Sequence, residues 1–388
     1  MNQLLATRKI IVCVGPGGVG KTTTSAALAA RAARRGRRTL VTTMDPAPRL
    51  ADALGVSLSA EPAAVPDGVA AALGVASGLL HVARLDTARA FGALVDEQIP
   101  DPAMRRRILE HPIYRQITTA LTGSQEYAAM LALYDIVRKG QFDLVVLDTP
   151  PTANALDFLE APRRLAEAIE SPAIRWFARP KEDVDADAGA GGAAARLSFG
   201  RLRAGGALVL KRLAKFVGMQ FLEDVAAFLT DFQGVLGAFH ERATSVAARL
   251  RQPDVAFFLV LAAETPAVDE ALYFEKRLRE GRIPMEAFVV NRIHQRPGSS
   301  DVDEIAARLR ARPELAGVSD EDLERVAAPL GRTAIELGQL CDGEARELAR
   351  LRAASPGTLL LQVPLLDRDV ATLSALARVG TFLDGPEI

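Results

Sequence analysis

The sequence predicts an α/β protein with a doubly wound, mostly parallel sheet flanked by helices and interrupted by an inserted α-helical subdomain. Three observations predict it. Short apolar, β-branched runs alternate with helix-favouring stretches along most of the 388 residues. A glycine-rich turn joins the first such run to an Ala-rich segment. Acids at Asp45 and Asp148 follow apolar runs directly, at the strand ends where parallel α/β sheets bind their ligands.

The first strand is expected over Lys9–Val14, and a helix from Thr22 to Arg35, free of Gly and Pro until Gly36. Between them, Gly15-Pro16-Gly17-Gly18-Val19-Gly20-Lys21-Thr22-Thr23 fits the spacing Gly-x4-Gly-Lys-Ser/Thr. Glycines let backbone N–H groups curl around phosphate oxygens, and the following helix adds its unpaired N–H groups and dipole. Lys21 would neutralise the β- and γ-phosphates, and the Thr22 hydroxyl would sit on Mg²⁺. A chance glycine turn rarely carries the whole motif in a strand–turn–helix context, so the expected fold is a P-loop NTPase and the expected ligand a nucleotide.

Arg31–Arg38 reads as a solvated, basic helix end. A second strand over Thr39–Met44 delivers Asp45, and Pro46 and Pro48 then break regular structure. Residues 56–78 read as irregular. Leu79–Leu85 reads as a strand ending at Asp86, and Thr87–Lys139 as helical with breaks at Pro100–Pro102 and Pro112. Phe142–Asp148 is a Walker-B-like strand whose Asp148 would hold Mg²⁺ through water. Residues 181–195 are acidic, then Gly- and Ala-rich, as in a flexible linker.

Leu210, Leu213, Val217, Phe221, Val225, Phe228, Phe232, Val235 and Phe239 recur at three- and four-residue steps, with charges too frequent for a membrane span. Two readings stay open here: a helix packed into its own core, or a groove for an apolar client helix over 208–239. Strands follow at Val255–Ala262, Ala287–Val290 and Thr358–Val363, separated by helices. The expected organisation is a nucleotide-binding domain over 1–160 and 251–388. A helical subdomain is inserted at 161–250, with a linker near 181–196 and a further helical insertion near 87–140.

Net charge is −1, so nothing global favours nucleic acid or anionic lipid. Cys13 and Cys341 are isolated, which fits a reducing compartment and argues against a disulfide framework or structural zinc. No signal-peptide pattern opens the chain, and a cytoplasmic location is expected.

With these motifs in order, the chain resembles the ArsA family, which includes arsenical-pump ATPases and ATPases that deliver tail-anchored membrane proteins. The resemblance rests on Gly17–Thr23, on Asp45-Pro46-Ala47 as a first switch and on Asp148-Thr149-Pro150-Pro151-Thr152 as a second. Asn291-Arg292 after a buried strand and Val363-Pro364-Leu365 near the end add to it. It implies Mg²⁺-dependent ATP hydrolysis, with Asp45 positioning or deprotonating the attacking water and Asp148 sensing metal and γ-phosphate. It also implies that Asn291 bonds the adenine edge, that the segment from Pro364 and Leu365 covers the base, and that the protein works as a dimer closing on ATP.

Two departures follow from the resemblance. The family's phosphate-binding loop carries a lysine, reaching the other subunit's phosphates, where this chain has Pro16. Slow hydrolysis, a substitute residue, or a heterodimer with a lysine-bearing paralogue would each account for Pro16. The cysteines that bind zinc or arsenite in the family are missing. Related ATPases that position membranes or DNA need a basic amphipathic helix or patch, which the last helix, with Asp367, Arg368, Asp369 and Arg378, does not offer.

Overall fold

The computed structural model describes residues 1–45, 47–115, 124–149, 219–367, 369, 370 and 372–384. Pro46, the Pro150–Thr152 part of the second switch, the 181–196 linker, Leu210, Leu213, Val217 and Arg368 lie outside them. The chain divides into two units.

The first unit comprises Met1–Leu85, Val137–Leu156 and Leu250–Ile388. Its eight described strands form one sheet: β1 (Ile10–Val14), β2 (Thr39–Thr43), β3 (Ala63–Ala64), β4 (Leu80–Arg84), β5 (Leu144–Asp148), β6 (Val255–Ala262), β7 (Met285–Ile293) and β8 (Leu359–Pro364). The order is β3-β4-β2-β5-β1-β6-β7-β8, parallel throughout except where β3 meets β4. The direction of winding reverses around β1, which pairs with β5 on one side and β6 on the other. Such a reversal opens a crevice at the carboxyl ends of the strands. β1 and β5 are buried along their whole length, and β6 in all but its last residue, which explains their unbroken apolar runs.

Helices α1 (Asn2–Thr7), α2 (Lys21–Arg34), α3 (Arg49–Leu54) and α4 (Asp67–Ala72) belong to the same unit. Two of them depart from expectation. α1 precedes the first strand, in a stretch for which no element was expected, and Leu5 is its buried anchor. α4 and the two-residue β3 lie within 56–78, where Ala70 packs inward and Ala63 pairs with Val82. Elements this short leave no periodic signature.

α2 presents its small residues, Ala26 to Ala33, to the core. The basic stretch Arg31–Arg38, which spans its last turn and the residues beyond, is more than a solvated helix end. Arg31 is buried, donates 2.8 Å to the Gly380 carbonyl and pairs with Asp384, and burial pushes its guanidinium down to about 10. Arg37 reaches the Leu5 and Arg8 carbonyls. These arginines tie the helix to neighbouring segments through backbone acceptors.

The second unit comprises Asp86–Ile136 and Asp157–Arg249. Its described helices are α5 (Thr87–Gln98), α6 (Pro102–Glu110), α7 (Ser124–Arg138) and α8 (Met219–Leu250). Asp86 and Asp101 cap α5 and α6 through the Arg89 and Ala103 amides. Phe228, Phe232, Val235 and Phe239 of the repeating stripe are buried. Phe239 meets Phe91, Phe228 stacks on His111, and the Tyr127 hydroxyl donates 2.9 Å to the Phe239 carbonyl. These four side chains are therefore interior, each worth about 1.5–3 kcal/mol of apolar burial.

The first unit is completed by α9 (Thr265–Glu280), α10 (Val302–Arg310), α11 (Asp320–Ala354) and α12 (Leu373–Phe382). Among the described residues, no helix is long and apolar enough to cross a membrane.

Candidate nucleotide site

The chain leaves β1 at Val14 and reaches α2 through backbone that only glycine adopts readily. Gly15, Gly18 and Gly20 have φ of +146°, +76° and +97°. A Cβ on Gly15 would collide with the Val260 carbonyl of β6, so the loop lies flush against the sheet. Gly20 is the N-cap of α2 in a left-handed conformation.

Lys21 is buried, and its ammonium donates 2.8 Å to the Gly15 carbonyl and 2.7 Å to the Pro16 carbonyl. The loop thus wraps around its own cation. Burial lowers the Lys21 ammonium from its ordinary range, with Asp148 opposing that shift.

Asp148 ends β5 opposite Cys13 of β1 and Thr43 of β2. Its Oδ2 accepts from the Thr22 hydroxyl at 2.8 Å and the Thr43 hydroxyl at 3.1 Å. Its Oδ1 is buried and has no hydrogen-bond partner among the described residues. Burial pushes this carboxyl up to about 6, against the two hydroxyl bonds and Lys21. Thr149 anchors the strand end by donating 2.8 Å to the Cys13 carbonyl. Cys13 itself is inert, since burial drives its thiol up to about 12.

Asp45 follows β2 by two residues. Its amide donates 3.1 Å to the Thr43 hydroxyl, its Oδ1 accepts 2.9 Å from the Ala47 amide, and its Oδ2 lies 3.4 Å from Arg49. A cavity of about 460 Å³ opens here, with Gly20, Lys21, Thr22, Asp45, Arg49 and Thr149 on its wall. Gly18 and Thr23 also reach it, whereas Asp148 sits behind Thr22.

Asn291, Pro364 and Leu365 do not line this cavity; Val370 does. Asn291 instead donates 2.8 Å to the Val19 carbonyl and accepts 2.9 Å from the Arg292 amide. Leu365 extends the β8 edge by donating 2.8 Å to the Ile293 carbonyl. Arg49, Asp52 and Thr43 were not singled out from sequence. The signal for Thr43 lay in strand register, and that for Arg49 and Asp52 in a helix starting directly after the proline break.

The donor set suits a hard cation held with phosphates: Thr22 offers a hydroxyl, and Asp148 an uncommitted buried oxygen. Among the described residues, no cluster of three or more His, Cys, Asp or Glu could hold a metal without such help. The arrangement can seat a phosphate chain at the start of α2, with Asp45 on the cavity wall and Asp148 bonded to Thr22.

The ArsA family of anion-transporting ATPases matches residues 8–173. An uncharacterised protein of Streptomyces coelicolor is 34% identical over 179 residues, covering 45% of this chain and 43% of that protein. ATPase GET3 of Malassezia globosa is 30% identical, covering 42% and 44%. A Chlorobaculum tepidum protein provisionally named an arsenical pump-driving ATPase is also 30% identical, covering 42% and 38%. The chain thus spans less than half the length of these relatives. Residues 8–173, which hold the glycine loop, Asp45 and Asp148, are thus the part of the chain that is similar to the ArsA family.

Proposed function

We propose that the chain binds Mg²⁺·ATP in this cavity and hydrolyses its β–γ bond, acting as a dimeric, cytoplasmic switch. The observation that carries the reading is the part-buried hydrogen bond from Thr22 to Asp148 at the start of α2. It joins the two motifs expected to share one metal. Gly17 to Thr23 would hold the phosphates, with Lys21 exchanging the Gly15 and Pro16 carbonyls for phosphate oxygens. Thr22 would ligate Mg²⁺ directly and Asp148 through water, and the metal would neutralise charge on the β- and γ-oxygens. Asp45 would orient or deprotonate the attacking water after giving up its contact with Arg49. Pro364 and Leu365 would border the base.

In this reading residues 1–160 and 251–388 form the ATPase domain. Residues 161–250, with 87–140, form a helical part whose arrangement follows nucleotide state. An apolar client or partner would meet that helical part along 208–239. Because Phe228, Phe232 and Phe239 are interior, capture by this face requires the helices to part.

A second reading is a catalytically weak half of a heterodimer with a lysine-bearing paralogue. Pro16 favours it: the residue offers no side-chain charge, and its carbonyl serves to hold Lys21.

The test is phosphate release by the purified chain with Mg²⁺·ATP, wild type beside Asp45→Asn. Loss of turnover by about 10²- to 10⁴-fold in the variant, with ATP still bound, is expected for a competent ATPase. Tight binding without turnover in either protein would favour the half-machine.

A further inference from the structure

We infer that the exposed flank of α11 is a docking surface for a second copy of this chain, through an antiparallel helix pair that forms with no nucleotide bound. The inference goes beyond the proposed switch by giving its dimer a contact that needs no ATP, so either can fail alone.

Among the described residues, eight large apolar side chains are exposed, and six of them lie between Val302 and Leu340. On α11, Val326, Leu330, Thr333, Leu337 and Leu340 follow one another at steps of four, three, four and three residues. That spacing keeps them on one stripe, as where one helix packs along another at a crossing angle of about 20°. Val326, Leu330 and Leu340 are 51%, 44% and 47% exposed, and Leu337 is half-buried. The Thr333 hydroxyl donates 3.1 Å to the Pro329 carbonyl, so it adds no unpaired donor to the stripe. α10 packs on a different face. Leu323, Ala327, Gly331 and Ala334 are the buried residues of this half of α11, and a Cβ on Gly331 would meet the Ser300 carbonyl and Val302. Leu330 lies about 100° round the helix from Gly331. The stripe is also held ready, because the following turns of α11 are pinned. Glu344 accepts from the His294 amide at 2.9 Å and meets its Nδ1 at 2.6 Å, and Arg350 pairs with Asp269 at 2.5 Å. A partner docking here would not have to order the helix first.

Charge decides the occupant. Between Asp320 and Leu340, Arg310 takes Asp320 and Glu324, and Arg325 takes Glu321 and Asp322. Arg332 and Glu336 are left, both exposed and without a partner among the described residues. They sit one turn apart beside the middle of the stripe. A parallel second copy would set Arg332 against Arg332 and Glu336 against Glu336. An antiparallel copy, related by a two-fold axis near Thr333, brings each Arg332 within a turn of the other copy's Glu336. One contact then satisfies both charges twice and covers both stripes, the self-complementarity that a two-fold interface requires. The stripe itself carries no charge, so none is desolvated at its centre.

The experiment is sedimentation of the full chain without nucleotide, over a range of concentrations. It compares wild type with Leu330→Glu, Arg332→Glu and the double variant Arg332→Glu/Glu336→Arg. A helix pair of this length is smaller than a standard interface, so the wild type should dimerise with a dissociation constant on the order of micromolar. Leu330→Glu should weaken the dimer by about a hundredfold or more, because each dimer loses two covered leucines. Arg332→Glu should weaken it about tenfold, and adding Glu336→Arg should restore it to within about threefold of wild type. Melting temperatures show whether each variant is folded. The charge pair, exposed in the single chain, carries the test should Leu330→Glu fail to fold. A wild type that stays monomeric up to about 100 µM would overturn the inference and leave the stripe to a helix of another protein. A dimer indifferent to Leu330→Glu would overturn it too, and a double variant that does not recover would rule out the antiparallel pairing. ATP binding and turnover, measured separately on the same proteins, decide the switch reading.

Discussion

Asp148 and Asp45 stand at the ends of neighbouring parallel strands, yet the fold treats them oppositely. Asp148 is 1% exposed, held by two hydroxyls and left with one oxygen that has no partner among the described residues. Asp45 sits in a turn, with both oxygens engaged, one by the Ala47 amide and one by the largely exposed Arg49. The first acid is desolvated without a direct cationic partner, an arrangement that disfavours the empty site and favours one holding positive charge. The second has a partner it can exchange. In the proposed ATPase, the buried acid is the fixed metal sensor and the turn acid the part that moves.

Asp148→Asn puts the first half of that comparison at greatest risk. Turnover should fall about 10- to 100-fold, as when a group supporting a metal is lost. Stability without nucleotide should move the other way. A folded carboxyl raised from 3.8 to about 6 takes up protons more readily than the unfolded chain. Stability is therefore lost as pH rises from about 4 to 6, and the full cost, about 3 kcal/mol, persists above that range. The amide removes the charge but leaves its own NH₂ unpartnered, so a net gain of about 1–2 kcal/mol is expected at pH 8, fading towards pH 4. Calorimetry of the two proteins across that range decides it. A variant less stable at every pH would mean that Asp148 is a structural acceptor and no more.

Next in size is the pH dependence of ligand binding. A proton on Asp148 competes with the metal it would support. Mg²⁺·ATP affinity should then fall by up to about tenfold per pH unit below about 6. ATP titrates in the same range, so the control is Asp148→Asn, which keeps the ligand's own titration and loses the protein's contribution. Asp45→Asn should retain the full wild-type profile. If Asp45→Asn flattened the curve instead, the roles of the two acids would be reversed.

What could be read from sequence follows the same division between local and long-range causes. The glycine loop, β5 and the end of β2 were legible because each announces itself within a few residues: apolar strand, glycines, lysine, acid. The all-apolar β6 was legible to the residue, since a strand covered on both faces needs no alternation. The engagement of Asn291 with Val19 was not legible, because it depends on a register shift in β7 that no local residue signals. Thr43 became visible only once β2 and β5 were aligned. Periodicity placed Phe228, Phe232 and Phe239 on one helical face. It could not say whether that face was covered, because a core stripe and a client groove have the same spacing.

The smallest expected effect tests the other half of the comparison. Arg49 is 56% exposed and 3.4 Å from Asp45, so the pair contributes at most about 1 kcal/mol to stability. Arg49→Ala should leave the melting temperature within about 2 °C of wild type. It also removes a cation from the cavity wall, where Lys21 is the other cationic side chain among the described residues. A two- to threefold loss of ATP affinity would match a screened charge near phosphate, roughly 0.4–0.7 kcal/mol. A loss of turnover approaching that of Asp45→Asn would be a different result. It would mean that Arg49 leaves Asp45 to stabilise charge on the transferred phosphoryl group, as an arginine supplied in cis can. Arg49→Lys then separates the two cases. A screened charge tolerates the exchange, whereas a planar guanidinium spanning two phosphate oxygens does not. Retained turnover in Arg49→Lys would confine Arg49 to the resting state of the turn and leave Asp45 as its sole moving group.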